Sequence, residues 1–132
     1  MKLLFFIDLR AIKELGQPIT PLTWVWYNYG PFAGDVYRVL DDLDVTDEIQ
    51  VSVTQNYFGS PEYQIAPGPN AGYNRVLDDH EISLIGEVID ELGSLSPQAL
   101  KERSYNTAPM QYAQMHQTRG AKLRMNVDDS ST

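Results

Sequence analysis

Between Leu3 and Leu15 the chain carries apolar residues on almost every side of a helix, and that stretch limits what the rest can be. Leu3, Leu4, Ile7, Ala11 and Leu15 recur at spacings of three and four, one helical face, and Gly16 is a good stop. Phe5, Phe6, Leu9 and Ile12 make the remaining faces apolar. Such a helix needs neighbours all round, so it belongs at the centre of a core. Any of Phe5, Phe6, Leu9 or Ile12 left uncovered predicts an apolar patch or a homo-oligomer. The apolar run breaks at Asp8 and Arg10, too early for a secretory signal, and no other stretch approaches the ~20 apolar residues that span a bilayer. A soluble, cytoplasmic protein without a membrane partner is the expectation.

With 132 residues there is room for one domain. Gln17-Pro18-Ile19-Thr20-Pro21 cannot continue the helix, because its prolines lack an N–H and bias the preceding residues to extended backbone. Leu22 to Tyr29, rich in aromatic and β-branched residues, predicts a strand closing at a Gly30-Pro31 turn. A short helix follows from about Ala33 to Leu43. Ile49, Val51 and Val53, then Tyr63 and Ile65, alternate with polar residues around Asn56–Pro61, a turn-forming stretch, so Glu48–Ala66 predicts a hairpin. Asp78 with Glu81 has capping-box spacing ahead of a helix whose buried stripe is expected at Ile82, Ile85, Ile89 and Leu92, with Gly93 as its stop. Ser96-Pro97 opens another short helix, to about Glu102 or Arg103. Beyond Pro109 the pattern fades, and Gln117–Thr132 is expected to be a loose tail. The fold class is α+β, mainly helical, with a small antiparallel sheet of about three strands packed on the central apolar helix.

Charge and composition narrow the chemistry. Ten Lys and Arg against eighteen Asp and Glu give a net charge of −8, which repels a phosphate backbone. Nucleic acid is therefore a poor partner. The helix-plus-hairpin of residues 33–66 resembles the end of a winged helix, but Asp35, Asp41, Asp42 and Asp44 flank it. No cysteine is present, which rules out disulfides, thiolate metal sites and a cysteine nucleophile. His80 and His116 stand far apart without ligand spacing, and neither a phosphate loop nor a Gly-x-Ser-x-Gly elbow occurs. No cofactor, metal or catalytic residue is assigned. A small hydrolase working through acidic residues remains the enzymatic alternative, and a winged-helix-like DNA-binding regulator the other.

The aromatic residues support a binding reading. Trp24 and Trp26 fall on one face of their strand and Val25, Tyr27 and Tyr29 on the other. Either both faces are core, or one is a partner surface, where Trp and Tyr are enriched as anchors. Tyr57, Phe58 and Tyr63 at or near the hairpin tip favour the second, since a turn does not easily bury three rings. The candidate partner-binding residues are thus Trp24, Trp26, Tyr57, Phe58 and Tyr63. Asp78, Asp79, Glu81, Glu87, Asp90 and Glu91 form a solvated acidic face or a patch that speeds encounter with a basic partner.

Leu3-Leu4-Phe5-Phe6-Ile7-Asp8, the Gly16-Gln17-Pro18-Ile19-Thr20 step, Tyr29-Gly30-Pro31-Phe32 and the acidic helix leading into Leu95-Ser96 and Leu100 together resemble the Panacea domain, the SocA-like antitoxin domain also found in phage-associated proteins. The resemblance spans residues 1–110, leaving 111–132 as a C-terminal extension. It implies an antitoxin that neutralises a cognate protein toxin by direct contact, in some members as an adaptor to a protease, with a protease or chaperone as a further partner. It also implies a structural role for Asp8, Pro18, Tyr29, Gly30, Pro31 and Phe32. Three departures stand out. Ala11 and the Ser104-Tyr105 pair stand where family sequences often carry histidines. Met110 stands where a Trp is common. A further helix commonly precedes the Lys2-Leu3-Leu4 motif, whereas Met1 begins almost on it here, the reading of a truncated or unusual start.

Overall fold

The computed structural model describes residues 1–55, 57, 59, 61–72 and 76–126. Among these the order is α1 (Lys2–Leu15), β1 (Val25–Tyr27), β2 (Gly30–Phe32), α2 (Asp35–Val45), β3 (Ile49–Gln55), β4 (Pro61–Pro67), α3 (Asp79–Leu92), α4 (Pro97–Tyr105) and α5 (Ala108–His116). The α+β, mainly helical class is correct, with strands divided between two two-stranded antiparallel sheets. The chain forms two compact units, one of Met1–Ala33 with the chain from Leu77 on, the other of Gly34–Val76.

In the first unit α1 ends where the sequence placed its stop, with Gly16 in the left-handed region at φ 81°. Phe5, Ile7, Asp8 and Ala11 are buried, while Phe6, Leu9 and Ile12 are half-buried. Helix α3 packs along it. Its capping box is complete, Glu81 N–H donating to Asp78 Oδ1 (2.8 Å) and Asp78 N–H to Glu81 Oε1 (3.0 Å). The buried stripe, however, is Leu84, Val88 and Leu92, set against Ile7 and Ala11. Ile82 and Ile89 are exposed and Ile85 is half-buried, a correction to the expected stripe. Both stripes have helical spacing, and the partner helix decides between them. Ser96 caps α4 by accepting from Ala99 N–H (3.1 Å).

The aromatic strand is shorter than the sequence suggested. β1 stops at Tyr27, Asn28 and Tyr29 form the turn, and Gly30-Pro31-Phe32 is itself a strand pairing Tyr27↔Gly30, Trp26↔Pro31 and Val25↔Phe32. Pro31 is tolerated inside β2 because β2 is an edge and needs no outward N–H. The other edge of β1 is taken by the segment expected to be a loose tail. Trp26 N–H donates to Ala121 O (2.9 Å), Leu123 N–H donates to Trp24 O (2.8 Å), and Lys122 bridges Val25. Leu123 is buried there. Through Asn126 the described tail is docked, and α5 before it is an element the fading pattern missed.

In the second unit α2 contacts β3, and β3 pairs with β4 along seven residues each, from Ile49↔Pro67 to Gln55↔Pro61. The base of this hairpin is pinned by backbone. Asp47 adopts φ 59°, Gly68 N–H donates to Glu48 O (3.0 Å), and Asn70 N–H donates to Asp47 O (2.9 Å). A side chain at Gly68 would collide with the Asp47 carbonyl, so only glycine fits.

Gly30 is the other glycine whose position is dictated. It sits at φ 106°, and a Cβ there would lie 3.0 Å from Ser104 Oγ in α4. Gly30→Val is expected to cost about 2 kcal/mol from backbone strain plus crowding, read as a lower midpoint in denaturant; an unchanged midpoint would show that the joint tolerates a side chain.

Candidate functional site

The first unit is organised round a buried carboxylate. Asp8, on the inner side of α1, has no solvent exposure. Its Oδ1 accepts the Ile19 N–H (3.0 Å) and the Thr20 N–H (2.9 Å), and its Oδ2 accepts the Trp24 indole N–H (3.0 Å) and the Thr20 hydroxyl. The proline-bounded step after α1 thus turns two backbone amides back onto the helix. A buried charge is tolerable only with such compensation.

Trp24, 2% exposed, packs edge-on against Phe5 with ring centroids 5.6 Å apart. It lies in the core of the first unit. Trp26 is half-buried, its indole N–H donating to the Tyr105 hydroxyl (3.3 Å) and its ring facing the Arg119 guanidinium at 5.9 Å. Tyr29 is exposed beneath the Lys101 ammonium (5.4 Å), Gly30 and Pro31 are buried, and Phe32 packs on Tyr27 at 5.2 Å. Pro18 is exposed in the step beside Asp8. Lys2 also reaches towards Gly30. Burial lowers its ammonium pKa below the ordinary lysine value, and the charge of Lys101 pushes the same way.

A cleft of about 740 Å³ opens beside Trp24, between Ile12, Pro18 and Leu22 on one side and Leu123, Arg124 and Met125 on the other. Asp8 is the carboxylate in its wall, and both its oxygens already accept hydrogen bonds, so it is not placed as a base. His80 and His116 are exposed, and neither lines the cleft. Among the described residues no group of three or more His, Cys, Asp or Glu side chains stands close enough to hold a metal ion. The arrangement the hydrolase alternative needs, histidine with carboxylates in a deep pocket, is therefore not what this cleft presents.

The second unit is built differently. None of its described residues is buried. Cross-strand partners share a face, so Val51 with Ile65 and Val53 with Tyr63 form an apolar ladder, while Ser52 with Gln64 and Thr54 with Glu62 form the polar side. Val53 is 61% exposed, Tyr63 70% and Ile65 51%. Tyr57, at the connection, is 96% exposed. Phe58 lies outside the described residues. The candidate anchors therefore do not form one site: Trp24 and Trp26 belong to the first unit, Tyr57 and Tyr63 to the second. Val53 and Ile65 were missed as surface residues, because strand alternation marks them as buried, whereas among the described residues no layer covers them. Helix α2 carries Asp35, Asp41, Asp42 and Asp44 exposed, which opposes the winged-helix reading on charge.

The family model described as the antitoxin SocA-like, Panacea domain matches residues 1–109. The chain belongs to this family. No curated protein and no solved structure matches it. Ala11, Ser104, Tyr105 and Met110 are each held by packing or hydrogen bonds in the first unit. Ala11 is closed in against the Leu84–Leu92 stripe, Met110 is fully buried, and Ser104 donates to Lys101 O (2.6 Å) while its neighbour Tyr105 accepts from Trp26. No helix among the described residues is long and apolar enough to cross a membrane.

Two carboxylates on the paired helices provide a contrast. Glu91 is exposed and takes a bidentate pair from Arg10 (2.6 and 3.1 Å), which holds its carboxyl below the ordinary glutamate range. Any stability it adds is present above the unfolded glutamate pKa and is lost as pH falls through the depressed value. Exposed pairs of this kind contribute little. Asp8→Asn, which presents an NH₂ to a ring of donors, is expected to cost about 3 kcal/mol, whereas Glu91→Gln should leave the melting temperature nearly unchanged at pH 7. Equal melting temperatures for the two variants would show that the first unit does not depend on the Asp8 carboxylate.

Proposed function

We propose that this chain is an antitoxin-type binding module that neutralises a co-encoded protein toxin by direct contact. Membership of the SocA-like family supports the class. The observation that carries the reading is the second unit, where apolar and aromatic side chains of a pinned hairpin stay exposed instead of forming a core. A contiguous exposed apolar surface on a folded chain marks an interaction site. The anchors we assign are Tyr57 and Tyr63, with Trp26 as a half-buried candidate on the first unit; Trp24 acts through the fold.

The acidic surface has a separate part, to speed encounter with a basic toxin. Asp78 and Glu81 are committed to the α3 cap, so this role falls to Asp41, Asp42 and Asp44. Delivery of the bound toxin to a protease is the finer form of the same reading.

Co-expression with the toxin encoded beside this gene tests the proposal. Wild type should restore growth. Tyr63→Ala and Tyr57→Ala should each weaken toxin binding by about 2 kcal/mol without moving the melting temperature, whereas Trp24→Ala should lose rescue because it unfolds. Toxin half-life in the rescued cells separates holding from delivery: it stays long in the first case and shortens in the second. Tyrosine variants that lose rescue only by melting would place the interface elsewhere.

A further inference from the structure

The ladder on β3 and β4 has a shape and a charge setting that specify its occupant. Three rows, Ile49 with Pro67, Val51 with Ile65, and Val53 with Tyr63, lie on one face, and exposure grows from the half-buried Ile49 and Val51 towards the open Val53 and Tyr63. At ~3.4 Å per residue the rows span roughly 14 Å, and two strands ~4.8 Å apart with their side chains make a strip about 10 Å wide. That is the diameter of one α-helix, and about ten residues at 1.5 Å rise cover the rows. A strand added at an edge would leave the ladder in water. A two-stranded hairpin is marginal by itself and gains stability when its apolar face is covered.

Charge selects among coverings. Residues 34–76 carry seven acidic residues, Asp41, Asp42 and Asp44 among them, against Arg38 and Arg75, leaving five net negative charges. A second copy would bring the same acidic surface to the same face, and an anionic lipid surface would be repelled in the same way. A helix with an apolar stripe flanked by Lys and Arg meets both demands.

We infer that the β3–β4 ladder is a docking face for one amphipathic, basic helix of a protein partner. This rests on the binding-module reading above and adds the element the partner inserts. It also gives the acidic charge of this unit a role in the encounter, setting partner choice more than affinity.

The experiment titrates the full-length chain, isotopically labelled for amide NMR, with three synthetic peptides at physiological salt. One has leucines at helical spacing with lysines elsewhere, the second is its scramble, and the third replaces lysine by glutamate. The amphipathic lysine peptide should shift the amides of residues 49–53 and 63–67 and bind at least tenfold tighter than the other two. The triple variant Val53→Thr, Tyr63→Thr, Ile65→Thr should lose at least tenfold of that affinity with its melting temperature kept. If the triple variant melts early, Tyr63→Lys alone, at an exposed side chain, decides the matter by the same tenfold criterion. Equal binding of the scramble, shifts confined to other residues, or full affinity in the ladder variants would overturn the proposal. Toxin co-expression keeps the two readings apart. A ladder variant that rescues as well as wild type ends the helix proposal and leaves the antitoxin reading standing. A wild type that never rescues ends the antitoxin reading, and the peptide titration still decides the docking face.

Discussion

Asp8 is a carboxylate without access to water, held by two backbone amides, a hydroxyl and an indole N–H from a span of six residues. The first unit depends on that cluster. It fixes where the chain goes after α1, since Ile19 and Thr20 are turned back by their amides. It also fixes Trp24, whose ring then packs on Phe5 and whose carbonyl accepts the Leu123 N–H. The contacts form one connected set: helix, proline-bounded step, tryptophan, hairpin, and the C-terminal segment along β1. Removing the carboxylate would leave several donors buried without acceptors, which costs more than losing any one hydrogen bond.

Parts of this were legible in the amino-acid sequence because the signal was local. The Asp78–Glu81 box, the Ser96-Pro97 start and the Gly16 stop each rest on residues within one turn of each other, and all three stand where expected. Choices made by distant partners were not legible. Ile82, Ile85 and Ile89 and the stripe Leu84, Val88 and Leu92 are equally periodic, and only the position of Ile7 and Ala11 on α1 selects the second. The turn at Asn28-Tyr29 was hidden by an unbroken run of strand formers, so Pro31 passed for the end of a strand instead of the middle of the next. Helix α5 opens on Thr107-Ala108-Pro109, a usable start signal, but the glutamines after it blur its apolar face. Asp8 and the Ile19-Thr20 step stood out as motif residues, but that Ile19, Thr20 and Trp24 converge on the Asp8 carboxylate was not legible, because the contacts span eleven to sixteen residues.

The two units differ in the physical origin of their order. The first has a closed interior, with Trp24, Phe5, Met110 and Val88 out of water. The second is held by backbone hydrogen bonds at the hairpin base and by strand pairing, while Val53, Tyr57, Tyr63 and Ile65 remain exposed. Elements with few buried apolar contacts open locally at low free energy. On the proposed reading the same exposure serves binding, because area left open in the free protein becomes burial when a partner arrives.

Amide hydrogen exchange on the free chain and on its complex with the proposed toxin partner tests this division most directly. Slow exchange is expected in α1 and α3 in both states. Residues 49–53 and 63–67 should exchange fast in the free chain and at least tenfold more slowly in the complex. A complex that forms yet leaves those residues exchanging as before, with new protection confined to the first unit, would contradict this division of labour.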